Sequence, residues 1–338
     1  MILRYLLFLS IAVGAVQCAK EENVNIDYNS LTENKIPDHF PAINYPDGNN
    51  FTPDRWALGK KLFYDKRLSI NYTISCADCH KQEIGFADNK ALTPGVFLRE
   101  ASRNAPSLAN VGYHPYFTRE GGVPSLEMQI LIPISEHNEF DFNMVQLIDR
   151  LSSDTLYQKL AFKAYGRTLD AFSITRAIST FERSLISANS KFDLVSKNKS
   201  TFTALESMGR DLFFSEKTNC SHCHNDFNFT NYTFQNNGLY TEYKDTGRFR
   251  LTGKESDLAM FKVPSLRLVG ITAPYMHDGS VKNLKDVVEH YNSGGKNHAN
   301  KSKFIRPLNL SETEKSALVA FLLTLNDDQF IKNKYFSQ

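Results

Sequence analysis

A mainly α chain of two related units with long loops is what this sequence predicts, and three features carry that expectation. Apolar residues recur at helical spacing in separated segments, strand signals are weak, and one short pattern occurs twice. In the middle of the chain, Ile174, Ala177, Ile178, Phe181 and Leu185 follow the spacing of a buried helical face. In "NLKDVVEHY" (283–291), Leu284, Val287, Val288 and Tyr291 share one face, and Asn283 is placed to cap with Asp286. In "SETEKSALVAFLLTL" (311–325), Ser311 and Glu314 form a capping box ahead of Ala317, Leu318, Phe321 and Leu325. The repeat pairs "LGKKLFYDKRLSINYTISCADCH" (58–80) with "MGRDLFFSEKTNCSHCH" (208–224). Each copy reads as a short helix ending in aromatic residues, then a loop, then Cys-x-x-Cys-His.

The chain ends and composition add limits. Hydrophobic residues at 41% and charged residues at 22% suit a globular protein with a real core. A net charge of +2 gives no argument for nucleic acid or an acidic membrane surface. "MILRYLLFLSIAVGAVQC" has one early cation, Arg4, an apolar run from Tyr5 to Val16, and Cys18. That run is shorter than the roughly 20 residues a spanning helix needs, so residues 1–18 read as an export signal. Small residues before Cys18 suit a lipoprotein signal with a lipid anchor on that cysteine; Gln17 beside it suits an ordinary signal cut nearby. Residues 19–50, rich in Asn, Asp, Pro and Gly, read as a flexible tether.

Of the five cysteines, Cys18 belongs to the signal region and the other four form "CADCH" (76–80) and "CSHCH" (220–224). A structural zinc site commonly uses two Cys-x-x-Cys pairs about 15–20 residues apart, whereas these pairs lie far apart. A dithiol redox switch needs one reactive pair and no adjacent histidine. Covalent haem attachment uses every position: two thiols add across the porphyrin vinyl groups and the next residue places an imidazole beneath the iron. The fold expected is therefore mainly α, with two cytochrome c-like haem domains and long loops around each porphyrin. Two haems make either a wire or an enzyme. Peroxide chemistry requires one iron with a vacant face and a nearby group that moves a proton between the peroxide oxygens.

The segments "LGKKLFYDKRLS", "SCADCH", "SRNAPSLAN", "GGVPSLEMQILIPI", "CSHCH", "DTGRFRLTG", "FKVPSLRLVGITAPYMHDGS" and "LKDVVEHYNSGG", in this order, resemble the bacterial di-haem cytochrome c peroxidase family, which includes the MauG enzymes. The resemblance covers roughly residues 55–326. It implies an N-terminal peroxidatic haem domain (51–195) on Cys76 and Cys79, with His80 as proximal ligand. It implies a C-terminal electron-transfer haem domain (196–330) on Cys220, Cys223 and His224. Gln129 and Glu139 fall where the family keeps its distal glutamine and its catalytic glutamate. A calcium ion between the domains is implied too, with ligands from Asn104 and the carbonyls of Thr272 and Pro274; oxygen ligands suit that hard cation. Read without the family, Glu139 is a solvated loop residue and Asn104 a turn residue before Pro106.

Three positions depart from the family pattern. Val96 stands where members needing reductive activation place a histidine over the peroxidatic iron, which implies a permanently accessible iron. Tyr291 stands where the ordinary peroxidases have the methionine ligand of the second haem, as in the MauG-like branch, with Met276 in "PYMHDGS" as the rival ligand. His277 reads as a neighbour of a haem propionate. Arg119, in "TREGG", replaces the tryptophan expected between the haems, leaving Tyr116 or Phe117 as substitutes. The activity expected is reduction of hydrogen peroxide to water in the periplasm, with electrons from a small c-type cytochrome or copper protein. The alternatives are a MauG-like peroxide-dependent oxidase that modifies a partner protein, and a pure electron carrier. Many members of the family are homodimers.

Overall fold

The computed structural model describes residues 36–37 and 40–338. The signal sequence, Cys18 and most of the tether lie outside the described residues. The class is mainly α. The helices that position the site are α1 (Pro53–Phe63), α2 (Cys76–Cys79), α3 (Leu126–Gln129), α4 (Thr155–Tyr165), α5 (Ala171–Arg183), α6 (Ala204–Phe213), α7 (Leu284–Ser293), α8 (Glu312–Leu323) and α9 (Asp328–Ile331). Among the described residues one sheet occurs, the antiparallel pair β1 (Phe234–Gln235) and β2 (Phe261–Lys262).

The expected caps form. The Asn283 side chain accepts from the Asp286 amide at 2.9 Å. Ser311 accepts from the Glu314 amide at 3.2 Å, while the Glu314 carboxylate accepts from the Ser311 amide at 2.9 Å. Each of these bonds satisfies an amide that the first helical turn leaves without a partner.

Two hydrophobic cores follow the two copies of the repeat. The first gathers α1, α4 and α5 through Trp56, Leu62, Phe63, Tyr157 and Phe181. The second gathers α6, α7 and α8 through Phe213, Val288, Phe321 and Leu325. The same crossing builds both. A Cβ on Gly59 would stand 1.9 Å from the Ala177 carbonyl oxygen of α5, and one on Gly209 would stand 1.9 Å from the Ala317 carbonyl oxygen of α8. Each glycine is needed because two helix backbones touch there.

The joint between the units is polar on one side and apolar on the other. Arg103 donates to Asp245 through Nε at 2.6 Å and Nη2 at 2.8 Å, and it also pairs with Glu120, which receives Arg250 as well. At the chain end, the sequence assigns residues up to 330 to the second unit, but the chain crosses back there. Asp327 accepts from the Ser187 hydroxyl and from the Ala188 and Asn189 amides at 2.9–3.1 Å. Phe330 and Phe336 then pack in the first core.

Candidate active site

The two Cys-x-x-Cys-His segments are built alike. In the first, the single turn of α2 puts Cys76 and Cys79 on one helical face. It is capped by the Asp78 carboxylate, which accepts from the Ser75 amide and hydroxyl, both at 2.8 Å. The chain then turns so that His80 Nδ1 lies 2.9 Å from the Phe86 carbonyl oxygen. In the second, His224 Nδ1 lies 3.0 Å from the Phe229 carbonyl oxygen. A carbonyl only accepts, so each Nδ1 carries the proton and each Nε2 keeps a free lone pair for a metal. Phe86 and Phe229 both have left-handed backbone, φ 56° and 51°, which turns each carbonyl towards its histidine. Burial lowers the pKa of both imidazoles and so favours the neutral, ligating form.

The four thiols are free and half-buried. Burial raises the pKa of all four, Cys79 to about 12, which argues against a reactive thiolate. Among the described residues no three His, Cys, Asp or Glu side chains converge as a metal cage.

The Glu139 carboxylate is the largest charge acting on the Cys79 thiol. Its backbone is clamped. The Glu139 amide donates to the Glu136 carbonyl at 3.0 Å, and the Glu139 carbonyl accepts from the Val96 amide at 2.9 Å. The clamp closes because Gly95 has no side chain: a Cβ there would stand 2.1 Å from the Asn138 carbonyl oxygen and 2.7 Å from that of Glu139. Burial, with a smaller contribution from the nearby Glu136 carboxylate, lifts the Glu139 pKa to about 7. Gln129, at the end of α3, has its Oε1 buried without a hydrogen-bond partner among the described residues. Val96 is fully buried, while Phe97 and Leu98 at the tip of the same loop are exposed.

At the second pair, Tyr291 lies on α7, and Cys220 and Cys223 contribute to the electrostatics of its hydroxyl. Burial is the main reason that its pKa rises to about 12. Asn237 partly opposes that rise, and its side-chain amide donates to the Met276 sulfur at 3.2 Å. Both candidate ligands therefore lie beside Asn237. His277 stacks on Phe261 with ring centroids 4.2 Å apart, and its carbonyl accepts from the Asn104 amide at 3.0 Å.

Between the units, Arg119 Nη2 donates to the Asn104 carbonyl at 2.7 Å and to its side-chain oxygen at 3.2 Å. Tyr116 stacks on Phe234 at 5.3 Å and its hydroxyl donates to the Tyr232 carbonyl. Phe117 stacks on His114.

The profile of the di-haem cytochrome c peroxidase family matches residues 53–201. The methylamine utilization protein MauG of Methylorubrum extorquens is 34% identical over 289 residues, covering 84% of this chain and 81% of that protein. The chain belongs to the di-haem cytochrome c peroxidase family. Cytochrome c551 peroxidase of Nitrosomonas europaea is 32% identical over 284 residues, 82% of this chain and 81% of that one. Among solved structures, a MauG-like protein associated with microbial copper homeostasis superposes with TM-score 0.85 at 33% identity, over 89% of this chain and 97% of that one.

As a member of this family of peroxidase-type oxidoreductases, the chain carries two haem c groups. The residues present fit them: two pairs of free thiols, two histidines with the iron-side nitrogen free, and a buried Gln129 oxygen without a partner. The implied calcium ion fits less well, because both oxygens of Asn104 already accept from a guanidinium. Sequence reasoning missed Gly95, Asn237 and the two carbonyl acceptors of the histidines. The last were findable, since the repeat places a phenylalanine six residues after His80 and five after His224.

Proposed function

We propose that the chain is an exported cytochrome c peroxidase that reduces hydrogen peroxide to water at the Cys76–Cys79–His80 haem. Electrons enter through the Cys220–Cys223–His224 haem, with Tyr291 as its second ligand, from a small c-type cytochrome or copper protein. The observation that carries the reading is Glu139, a carboxyl on a clamped backbone whose pKa is pushed up to about 7 and whose charge acts on the Cys79 thiol. The haem iron, when bound, supplies the binding position and the electrons for O–O cleavage. The Glu139 carboxylate takes the proton of the peroxide oxygen nearer the iron and returns it to the farther one, which leaves as water. A pKa near the working pH suits a group that must both take and give a proton. The Gln129 side chain holds the peroxide by a hydrogen bond, and Val96 offers no atom that could ligate the iron and block the face.

A second reading is a MauG-like oxidase that modifies a partner protein. Val96 and Tyr291 favour it, and Arg119 in place of a bridging indole disfavours it. The deciding measurement adds peroxide to the oxidised protein with and without reduced cytochrome c. A high-spin ferric signal and rapid cytochrome oxidation support the peroxidase, with Glu139→Gln slower by about 100-fold or more. A long-lived oxidised spectrum indifferent to cytochrome c supports the oxidase. Two low-spin haems with no response to peroxide would refute both and leave an electron carrier.

A further inference from the structure

The family resemblance implies a calcium ion bridging Asn104 to the carbonyls of Thr272 and Pro274. In this chain both acceptors of Asn104 face a cationic side chain. Its carbonyl and its side-chain oxygen both face Arg119 Nη2. The orientation of the amide is fixed from its other end, because Asn104 Nδ2 donates to the Lys90 carbonyl at 3.1 Å. A flip would turn two N–H donors onto a guanidinium. Asn104 is buried, and its backbone amide is bonded across the joint to His277. Arg119 is held from the second unit as well, its carbonyl accepting from the Lys262 amide at 2.6 Å. One guanidinium thus sits at the meeting point of the two units and bonds both oxygens that Asn104 would offer a metal.

The surrounding charges do not favour adding a divalent ion. Calcium takes six to eight oxygens, with carboxylates prominent. The carboxylates that act on Arg119 are Asp245, Asp278 and Glu120. Asp245 is held by Arg103 through two bonds, and Glu120 by Arg103 and Arg250. Asp278 accepts from the Tyr240 hydroxyl and the Ser280 amide. Arg103 and Lys262 add two more positive charges to the same joint. A calcium ion on Asn104 would have to displace a buried guanidinium or sit against it, and like charges at that range repel strongly where water is scarce.

We propose that the Arg119 guanidinium is the resident cation of this joint, and that the two haem units are held together without calcium. The inference concerns the joint and is independent of which reaction the haems support. It predicts a family member indifferent to chelators. The test uses the purified di-haem protein dialysed against EGTA, with bound calcium read by mass spectrometry and thermal unfolding followed with and without added calcium. The expected result is substoichiometric calcium and the same Tm in both conditions. Arg119→Gln, which keeps hydrogen-bonding groups but removes the charge, is expected to lower Tm in EGTA and to recover it with one bound calcium. Arg119→Lys keeps a cation and is expected to remain indifferent to calcium, which preserves the test if the glutamine variant does not fold. Retention of one calcium per unmodified chain after dialysis would overturn the proposal, as would a fall in its Tm in EGTA. A glutamine variant with unchanged Tm and no calcium uptake would overturn it equally.

Discussion

A carboxyl group shielded from water with a second carboxyl close by holds its proton more tightly, and Glu139 is such a group. Its pKa near 7 means that the basic form grows as pH rises through 7 and is lost as pH falls below it. If that form starts the reaction, peroxide turnover should rise with pH across neutrality and level off above it. Glu136→Gln removes the nearby negative charge, so the midpoint should move to lower pH. Glu139→Gln should remove the step and leave a slow, flat profile. A rate–pH curve from stopped-flow measurements decides this, and an unchanged midpoint in Glu136→Gln would reject the pairing. At this scale the sequence was partly legible. The cysteines and their histidines follow from spacing alone, but Glu139 emerged only through the match to "SLEMQ". Nothing in "SEHNEF" says that Gly95 lets another loop close on it. Arg119 was visible as a departure and Asn104 as a candidate ligand, while the bond between them was not, because a contact between two loops leaves no periodic trace.

The helices were more legible, since periodicity and caps are local properties. Ser311 with Glu314, and Asn283 with Asp286, mark the starts of α8 and α7 as the structure has them. The repeat of 58–80 in 208–224 identified two related units. What remained hidden was the partner of each repeated helix, because the glycines that permit the crossing carry no signal of where they dock. Gly59 against Ala177 and Gly209 against Ala317 show why both are fixed. Alanine at either position must push two helices apart, at a cost of roughly 1–3 kcal/mol or more. Denaturant unfolding should show that loss. Gly209→Ala should disturb the spectrum of the second haem and spare the first, and Gly59→Ala should do the reverse. Equal disturbance of both haems by either variant would argue against two separately built cores.

For the whole molecule, the question is whether two cores behave as one cooperative body. The chain end suggests that they do. After Leu325, Asp327 ties the last segment to residues 187–189 of the first unit through three bonds. Tyr64 donates to the Phe336 carbonyl at 2.5 Å and Gln82 to the Asn333 carbonyl at 2.8 Å. Phe330 and Phe336 each pack edge-on against Phe86, the residue whose carbonyl orients His80. The terminal segment thus belongs by sequence order to the second unit and by packing to the first. Burying two phenylalanine side chains is worth about 1.5–3 kcal/mol each, which is large against the net stability of a domain of roughly 5–15 kcal/mol. Deleting residues 327–338 should therefore lower the stability of the first unit and uncouple the two. Calorimetry should then resolve two transitions in place of one, the earlier accompanied by loss of the first haem's spectrum. A single transition at the original temperature would mean that the polar joint around Arg103 and Arg119 couples the units without help from the strap.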